Sequence, residues 1–223
     1  MAYSIAIDGP AGAGKSTIAK KIAKELSYVY VDTGAMYRAM ALFFLRAGIK
    51  PEEEEKINEE CKNADITIEY KDGEQQVILN GENVNGLIRT EEVGNMASAT
   101  SVNSNVRTKM VELQQQLAEK TDVIMDGRDI GTKVLPKAQL KIYLTASART
   151  RAERRYKELQ EKNVVCDIET IEKDIVDRDY RDMHRENSPL MQAEDAILVD
   201  SSNMNADEVA EHIIHLFKEK IEG

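Results

Sequence analysis

The chain has 223 residues, of which 42% are hydrophobic and 31% are charged, proportions typical of a globular protein and unlike those of collagen or a wholly disordered chain. The 40 acidic side chains outnumber the 30 basic ones, which gives a formal net charge of −10. A field of this sign repels phosphate backbones, so we expect no sequence-independent binding to nucleic acid. The apolar stretches are too short for a membrane span, the N-terminus lacks the pattern of a signal peptide, and the two cysteines form no metal or disulfide pattern. We therefore expect a soluble cytoplasmic protein with no membrane partner.

Five short apolar runs predict the strands of a buried parallel sheet. They lie at residues 3–8, 28–31, 123–125, 142–144 and 196–199. Most are separated by helical segments, the first of which runs from about Gly14 to Leu26. Parallel strands joined by crossover helices are typically short and apolar throughout. The pattern therefore predicts an α/β fold, with a five-stranded parallel sheet between two layers of helices.

The segment between the second and third runs predicts an insertion. It is far longer than a simple crossover needs. Apolar and polar side chains alternate over residues 66–70, as they do in a strand. The dipeptides Asp72-Gly73 and Asn80-Gly81 are typical of hairpin turns, and the segment Gln76–Leu79 lies between them. We expect a small antiparallel meander at about residues 64–86.

A glycine-rich segment after the first run predicts a phosphate-binding loop. Residues 9–16 read GPAGAGKS and fit the pattern G-x-x-x-x-G-K-[ST] at every fixed position, between a predicted strand and a predicted helix. Backbone N–H groups and the helix N-terminus attract phosphate in such loops. Lys15 is expected to reach the β- and γ-phosphates and Ser16 to ligate Mg²⁺. The motif predicts a nucleotide and a metal, but ATPases, GTPases, kinases and switches all share it.

The arginines indicate a second anion-binding region. Seven of the twelve lie between residues 149 and 185, and arginine suits bidentate recognition of phosphate. Pairing with acidic neighbours on solvated helices is the alternative explanation. The segments DTGAMYR (32–38) and DGRDIG (126–131) follow predicted strands, where open α/β sheets bind ligands. A helix N-cap for the first and a loop salt bridge for the second are the structural alternatives.

These motifs together resemble those of the bacterial cytidylate kinase (CMP kinase) family. The resemblance is carried by GPAGAGKS, VDTGAMYR, the insert closing at Ile88-Arg89-Thr90, DGRDIGT, and the late segment RDYRD with Arg185. It covers the chain from the first strand to the last helix. It implies transfer of the γ-phosphoryl group of ATP, bound with Mg²⁺, to CMP or dCMP, by a monomeric enzyme.

The resemblance also implies roles for individual residues. Lys15, Arg128 and Arg185 would be catalytic, and Ser16 would hold the metal. The ATP contacts would be Gly9, Pro10, Ala11, Gly12, Ala13, Gly14, Lys15, Ser16, Thr17, Arg154 and Arg155. The contacts to the monophosphate substrate would be Thr33, Tyr37, Arg38, Ser98, Arg107, Asp129, Arg178, Asp182 and Arg185. Among all of these residues, the phosphate clamps are matched by Arg38, Arg128 and Arg185. The cytosine contacts are matched by Ser98, Arg107 and Asp129, and the ribose contacts by Arg178 and Asp182.

The resemblance implies three regions and leaves two rival functions. The P-loop core would comprise residues 1–35, 103–148 and 166–223, the monophosphate-binding region residues 36–102, and the lid residues 149–165. A kinase for UMP or another monophosphate is one rival, which the predicted cytosine contacts disfavour. A nucleotide-dependent switch is the other, and the chain lacks the N-K-x-D guanine motif of GTPase switches.

Overall fold

The computed structural model describes residues 2–71 and 73–222. Its strands are β1 Ser4–Asp8, β2 Val29–Asp32, β3 Ile66–Lys71, β4 Glu74–Leu79, β5 Glu82–Asn83, β6 Val123–Gly127, β7 Leu140–Thr145 and β8 Ile197–Asp200. Its α-helices are α1 Lys15–Leu26, α2 Thr33–Arg46, α3 Glu54–Glu60, α4 Glu91–Thr100, α5 Ser104–Ala118, α6 Ala148–Glu161, α7 Ile168–His184 and α8 Ala206–Glu222. A short 3₁₀ turn, Cys61–Asn63, follows α3, and a single π-helical turn, Ile130–Val134, follows β6.

The main sheet has five strands in the order β2-β6-β1-β7-β8. β1 pairs in parallel with β6 and with β7, and β7 pairs in parallel with β8. Helices cover both sides of the sheet. The predicted five-stranded parallel sheet and α/β fold class are therefore confirmed. Because β1 lies in the middle, the loop that follows it opens at the centre of the carboxyl edge, where such sheets bind ligands.

By its internal contacts the chain divides into two compact units, which we call unit 1 and unit 2. Unit 1 contains the chain up to Tyr30 and from Thr121 onward, and unit 2 contains Val31–Lys120. The core of unit 1 forms where α1 and α8 pack together and bury apolar side chains of β1 and β7, such as Ile7 and Ile142. Phe217 of α8 meets the edges of the Tyr3 and Tyr28 rings at centroid distances of 6.0 and 5.8 Å.

Unit 2 contains the predicted meander. β3 and β4 pair antiparallel, with Ile66 opposite Leu79, and β4 continues into β5. The turn between them places Asn80 at φ 49° and Gly81 at φ 82°, as a two-residue hairpin turn requires. The other predicted turn includes Asp72, which lies outside the described residues. Helix α2 packs against α4 and against β4.

Among residues 2–71 and 73–222, no helix is both long and apolar enough to cross a membrane. The three-region division into core, monophosphate-binding region and lid stays a prediction.

Candidate active site

The phosphate-binding loop joins β1 to α1 at the centre of the sheet edge. Gly12 and Gly14 have φ values of 76° and 85°, a left-handed conformation that glycine adopts at little cost. Lys15, the first residue of α1, is buried and its amine donates to the carbonyl oxygens of Gly9 and Pro10 at 2.8 Å each. Burial lowers the pKa of Lys15, and the nearby Arg128 charge lowers it further. The loop thus places a lysine and a helix N-terminus where phosphate oxygens bind in proteins of this class.

The metal-binding candidate Ser16 lies beside a carboxylate that the sequence analysis did not assign. The Ser16 hydroxyl donates to Asp126 Oδ2 at 2.9 Å, and the Tyr30 hydroxyl donates to Asp126 Oδ1 at 2.8 Å. Asp126 is buried at the end of β6, the neighbour of β1 in the sheet. A hydroxyl and a carboxylate are the hard oxygen donors that suit Mg²⁺ in P-loop enzymes. The sequence does contain one signal for this carboxylate, because Asp126 directly follows the apolar run at residues 123–125. The strand formed by that run pairs with β1, which leads into the loop.

A second buried carboxylate, Asp8 at the end of β1, holds the loop after β6. Its two oxygens accept the backbone N–H groups of Ile130 and Gly131 at 2.8 and 2.7 Å. Burial raises the pKa of Asp8 to about 6, because its effect outweighs that of the two hydrogen bonds, which lower the pKa. Asp8 thereby fixes the π-helical turn next to the predicted substrate residues Arg128 and Asp129.

Unit 1 pairs the predicted acceptor-side arginines with aspartates. Arg128 Nε donates to Asp182 Oδ2 at 2.8 Å, and Arg185 Nη2 lies 3.9 Å from Asp129 Oδ1. Burial raises the pKa of Asp182, but Arg128 and the neighbouring arginines outweigh burial and hold that pKa below its usual range. Arg178 is one of those arginines, one turn before Asp182 on α7. Unit 1 therefore brings five of the predicted acceptor-side residues into one charged cluster: Arg128, Asp129, Arg178, Asp182 and Arg185.

Unit 2 holds the other predicted acceptor-side residues on α2, α4 and α5. Arg107, only 6% exposed, lies over the Tyr37 ring at 5.8 Å and donates to the carbonyl oxygen of Ser101 at 3.2 Å. Ser101 in turn donates to the carbonyl oxygen of Ser98. Arg38 donates to the carbonyl oxygen of Ile88 at 3.2 Å.

The segment DTGAMYR begins with a helix cap. Asp32 caps α2 by accepting the N–H of Ala35 at 2.9 Å and also pairs with Arg89 at 2.7 Å. Thr33, the first residue of α2, is buried. The helix N-cap that the sequence offered as a structural alternative is therefore present. This cap orients α2, the helix that carries Tyr37 and Arg38.

The two predicted lid arginines of α6 contact protein groups. Arg154 donates to the carbonyl oxygen of Ser201 at 2.7 Å, directly after β8, and Arg155 pairs with Glu158 on the exposed side of α6. Their assignment to ATP stays a prediction. Thr17, the last residue assigned to ATP, is exposed on the first turn of α1.

Comparisons with known proteins identify the family. The family described as cytidylate kinase matches residues 5–219. A cytidylate kinase of Caldicellulosiruptor saccharolyticus is 52% identical over 214 residues, which cover 96% of this chain and 95% of that protein. A cytidylate kinase of Bacillus subtilis is 49% identical over 218 residues, covering 97% of each.

Solved structures share the fold at low identity. A gluconokinase from Sinorhizobium meliloti aligns with a TM-score of 0.51 at 12% identity, over 97% of this chain and 92% of its own. An uncharacterized protein from Eubacterium ventriosum aligns with a TM-score of 0.53 at 13% identity, over 98% and 99%. Both likenesses concern the fold alone. The match along the whole sequence carries the assignment, and the chain belongs to the cytidylate kinase family.

Proposed function

We propose that this enzyme transfers the γ-phosphoryl group of ATP to CMP, and also to dCMP, forming ADP and the pyrimidine nucleoside diphosphate. The single observation that carries the proposal is the arrangement within unit 1. There the phosphate-binding loop lies close enough to Arg128, directly after β6, for the Arg128 charge to lower the pKa of Lys15. Arg185, the other paired arginine, directly follows α7. A donor phosphate and an acceptor phosphate bound to these two groups would be neighbours. Membership in the cytidylate kinase family supports the choice of CMP.

In this proposal the donor site is the loop with its lysine. Residues 9–17 surround the ATP phosphates with backbone N–H groups, and Lys15 leaves the Gly9 and Pro10 carbonyls to bind the β- and γ-phosphates. Ser16 and Asp126 hold Mg²⁺, since their oxygens already lie 2.9 Å apart. The ion supplies neutralisation of phosphate charge.

The acceptor phosphate is held by Arg38, Arg128 and Arg185. Its second pKa is about 6, so the attacking oxygen is already largely ionised near neutral pH and no general base is required. The bond between this oxygen and Pγ forms as the bond from Pγ to the bridging oxygen breaks, and ADP leaves with the electron pair. Catalysis then consists of positioning the two phosphates and neutralising charge in the transition state.

Ser98, Arg107 and Asp129 recognise the base, and Arg178 and Asp182 the ribose. Cytosine presents acceptors at N3 and O2, which suit an arginine, and an N4 amine, which suits a carboxylate or a hydroxyl. Uracil would instead turn its N3–H donor toward the arginine. The resemblance also implies dCMP as an acceptor, and we expect it to be phosphorylated as well.

Closure of α6 over ATP completes the proposed site. Arg154 and Arg155 would exchange Ser201 and Glu158 for phosphate oxygens as the lid, residues 149–165, moves. Exclusion of water by such closure limits loss of ATP to hydrolysis. The enzyme acts as a monomer in the cytoplasm, and light scattering after gel filtration tests the first of these two statements.

The proposal is tested by ADP release from Mg·ATP with CMP, dCMP, UMP, AMP or GMP supplied separately. We expect fast turnover with CMP and dCMP, little with the purine nucleotides, and loss of turnover when Mg²⁺ is chelated. Lys15→Ala, run in parallel, should remove most activity. Preference for UMP would overturn the base assignment. Phosphate release that requires no acceptor would instead favour the nucleotide switch.

A further inference from the structure

Arg151 is buried where three segments of unit 1 meet. Only 5% of this α6 residue is exposed. Its Nε donates to the carbonyl oxygen of Ala146 at 2.9 Å, and its Nη1 donates to the carbonyl oxygen of Ala11 at 2.8 Å. Its Nη2 donates to Asp179 Oδ2 at 2.6 Å. One guanidinium thus connects the end of β7, the phosphate-binding loop and helix α7.

The aliphatic stem of Arg151 lies beside the loop at Gly12. A methyl group placed on Gly12 would stand 3.5 Å from Cβ of Arg151 and 3.9 Å from its Cγ and Cδ, which are ordinary van der Waals distances. The loop therefore meets Arg151 through a hydrogen bond at Ala11, and the Arg151 stem lies beside Gly12 with room for about one methyl group between them. Displacement of this side chain would leave the Ala11 carbonyl without this hydrogen bond.

The Arg151–Asp179 ion pair is poorly arranged for stability alone. Asp179 is 8% exposed, and its Oδ1 has no hydrogen-bond partner within residues 2–71 and 73–222. Withdrawing two charges from water is costly, and well-packed apolar replacements of a buried pair are often neutral or stabilising. A buried pair with one oxygen unsatisfied needs another reason to be present.

We propose that Arg151 and Asp179 form a positioning pair, which fixes the position of the phosphate-binding loop relative to helix α7. The inference rests on the proposed function, because α7 carries Arg178 and Asp182, assigned there to the acceptor nucleotide. Neither member of the pair touches a substrate. The pair aligns the γ-phosphoryl group held by the loop with the acceptor held from α7. Misplacement of reacting groups by about 1 Å can slow a reaction about 100-fold.

The test compares Arg151→Met, Asp179→Leu and the double variant in the full chain. Lys173→Met is the matched control, since Lys173 forms an exposed ion pair with Asp177 at 2.9 Å on α7 and lies outside the lid. Arg151→Lys, which keeps the charge but not the three-way guanidinium geometry, tests the need for that geometry. For each variant, kcat, the KM for ATP, the KM for CMP and the urea unfolding midpoint are measured.

We expect the single variants to lose stability, because each leaves a buried charge without its partner. The double variant should recover most of that stability. Its kcat should stay about 30- to 100-fold below wild type, while both KM values change less than about threefold. Arg151→Lys should also lose at least about tenfold in kcat, and Lys173→Met should keep wild-type kcat.

Recovery of both stability and kcat in the double variant would overturn the inference and leave the pair a purely structural one. A loss confined to the KM for ATP would overturn it too, by making Arg151 a nucleotide contact. A loss in Lys173→Met equal to that in Arg151→Met would do the same, since removal of any ion pair on α7 would then suffice. Wild-type enzyme without acceptor-dependent turnover would refute the proposed function and the inference together. If wild type shows acceptor-dependent turnover and the double variant recovers both stability and kcat, the inference alone is refuted.

Discussion

Of the three glycines in the phosphate-binding loop, Gly9 has the least room for a side chain. A methyl group there would overlap the backbone carbonyl oxygen of Leu144 in β7 and stand 3.0 Å from its carbon and 3.4 Å from its nitrogen. The obstructing atoms belong to the backbone of a buried strand, so they cannot rotate away as a flexible side chain would. Gly9 also has φ 151°, a region that other residues rarely adopt.

These two features set the expected effect of Gly9→Ala on the free energy of unfolding. Backbone strain at such a φ costs about 1–3 kcal/mol, and forcing an extra carbon into a packed interior costs about 1–3 kcal/mol more. We therefore expect Gly9→Ala to lower the free energy of unfolding by about 2–6 kcal/mol.

Gly14→Ala is the matched control within the same loop. Gly14 has φ 85°, and a methyl group there would meet nothing within 4 Å. Its replacement should therefore cost only the left-handed backbone strain, about 1–2 kcal/mol. The difference between the two variants isolates the collision with Leu144.

Urea unfolding followed by far-ultraviolet circular dichroism measures both variants, since the chain has no tryptophan for fluorescence. Equal m-values would show that the same surface is exposed on unfolding. A Gly9→Ala destabilisation within about 0.5 kcal/mol of the Gly14→Ala value, the spread expected of surface substitutions, would refute the steric argument.

Two further predictions follow from the buried charges. Arg107→Met should raise the KM for CMP about 10- to 100-fold, as loss of hydrogen bonds from a charged group does, and leave the KM for ATP unchanged. Lys109→Met, which removes bonds to backbone carbonyls from the same helix, should lower stability without changing the KM for CMP, and an equal rise in both variants would contradict the base assignment. Between the unfolded pKa of 3.8 and the folded pKa of about 6, only the folded state keeps the proton of Asp8. The unfolding free energy of wild type relative to Asp8→Asn should therefore fall by about 3 kcal/mol as pH rises from about 4 to about 6.5. Urea titrations across this range test this, and a rise would mean that the hydrogen bonds from Ile130 and Gly131 outweigh burial.

Local patterns predicted the strands well where the buried side chains are apolar. β1 and β8 lie within a residue or two of their predicted bounds, because an aspartate ends each apolar run. β7 was predicted too short, from Ile142 instead of Leu140. Its second residue is Lys141, which is buried with its amine on Pro136 and Asp195. Lys141 interrupts the apolar pattern by which a buried strand is predicted. Its partner Asp195 is distant in sequence, so no local pattern shows that this charge is buried.

The candidate site also contains features that the local sequence predicts and features that it does not. The loop of residues 9–16 was recognisable because phosphate binding depends on backbone geometry, which fixes glycines at set spacings. The link from Arg151 to Asp179 spans 28 residues and two helices, and that from Asp8 to Gly131 spans 123 residues. No local pattern encodes such pairs, since their spacing depends on how α6, α7 and β6 pack. Spacing within α6 left open whether Arg151 pairs with solvated neighbours, and the structure instead gives it a buried aspartate.

The pairing of arginines with aspartates explains how an acidic chain can serve two phosphate substrates. Unpaired, Arg128 and Arg185 would repel each other and Lys15, and flexible side chains would have to be ordered when substrate binds. Asp182 holds Arg128 by a hydrogen bond, and the Ser188 carbonyl holds Arg185 in the same way. With Asp129 3.9 Å from Arg185, the local charge stays near balance, and the prior order of both arginines lowers the ordering cost of binding. The same balance means that side chains alone do not offset the charge of a triphosphate and a monophosphate together. In the proposed mechanism a divalent cation bound with ATP would supply the remainder, at the place where the oxygens of Ser16 and Asp126 lie next to each other.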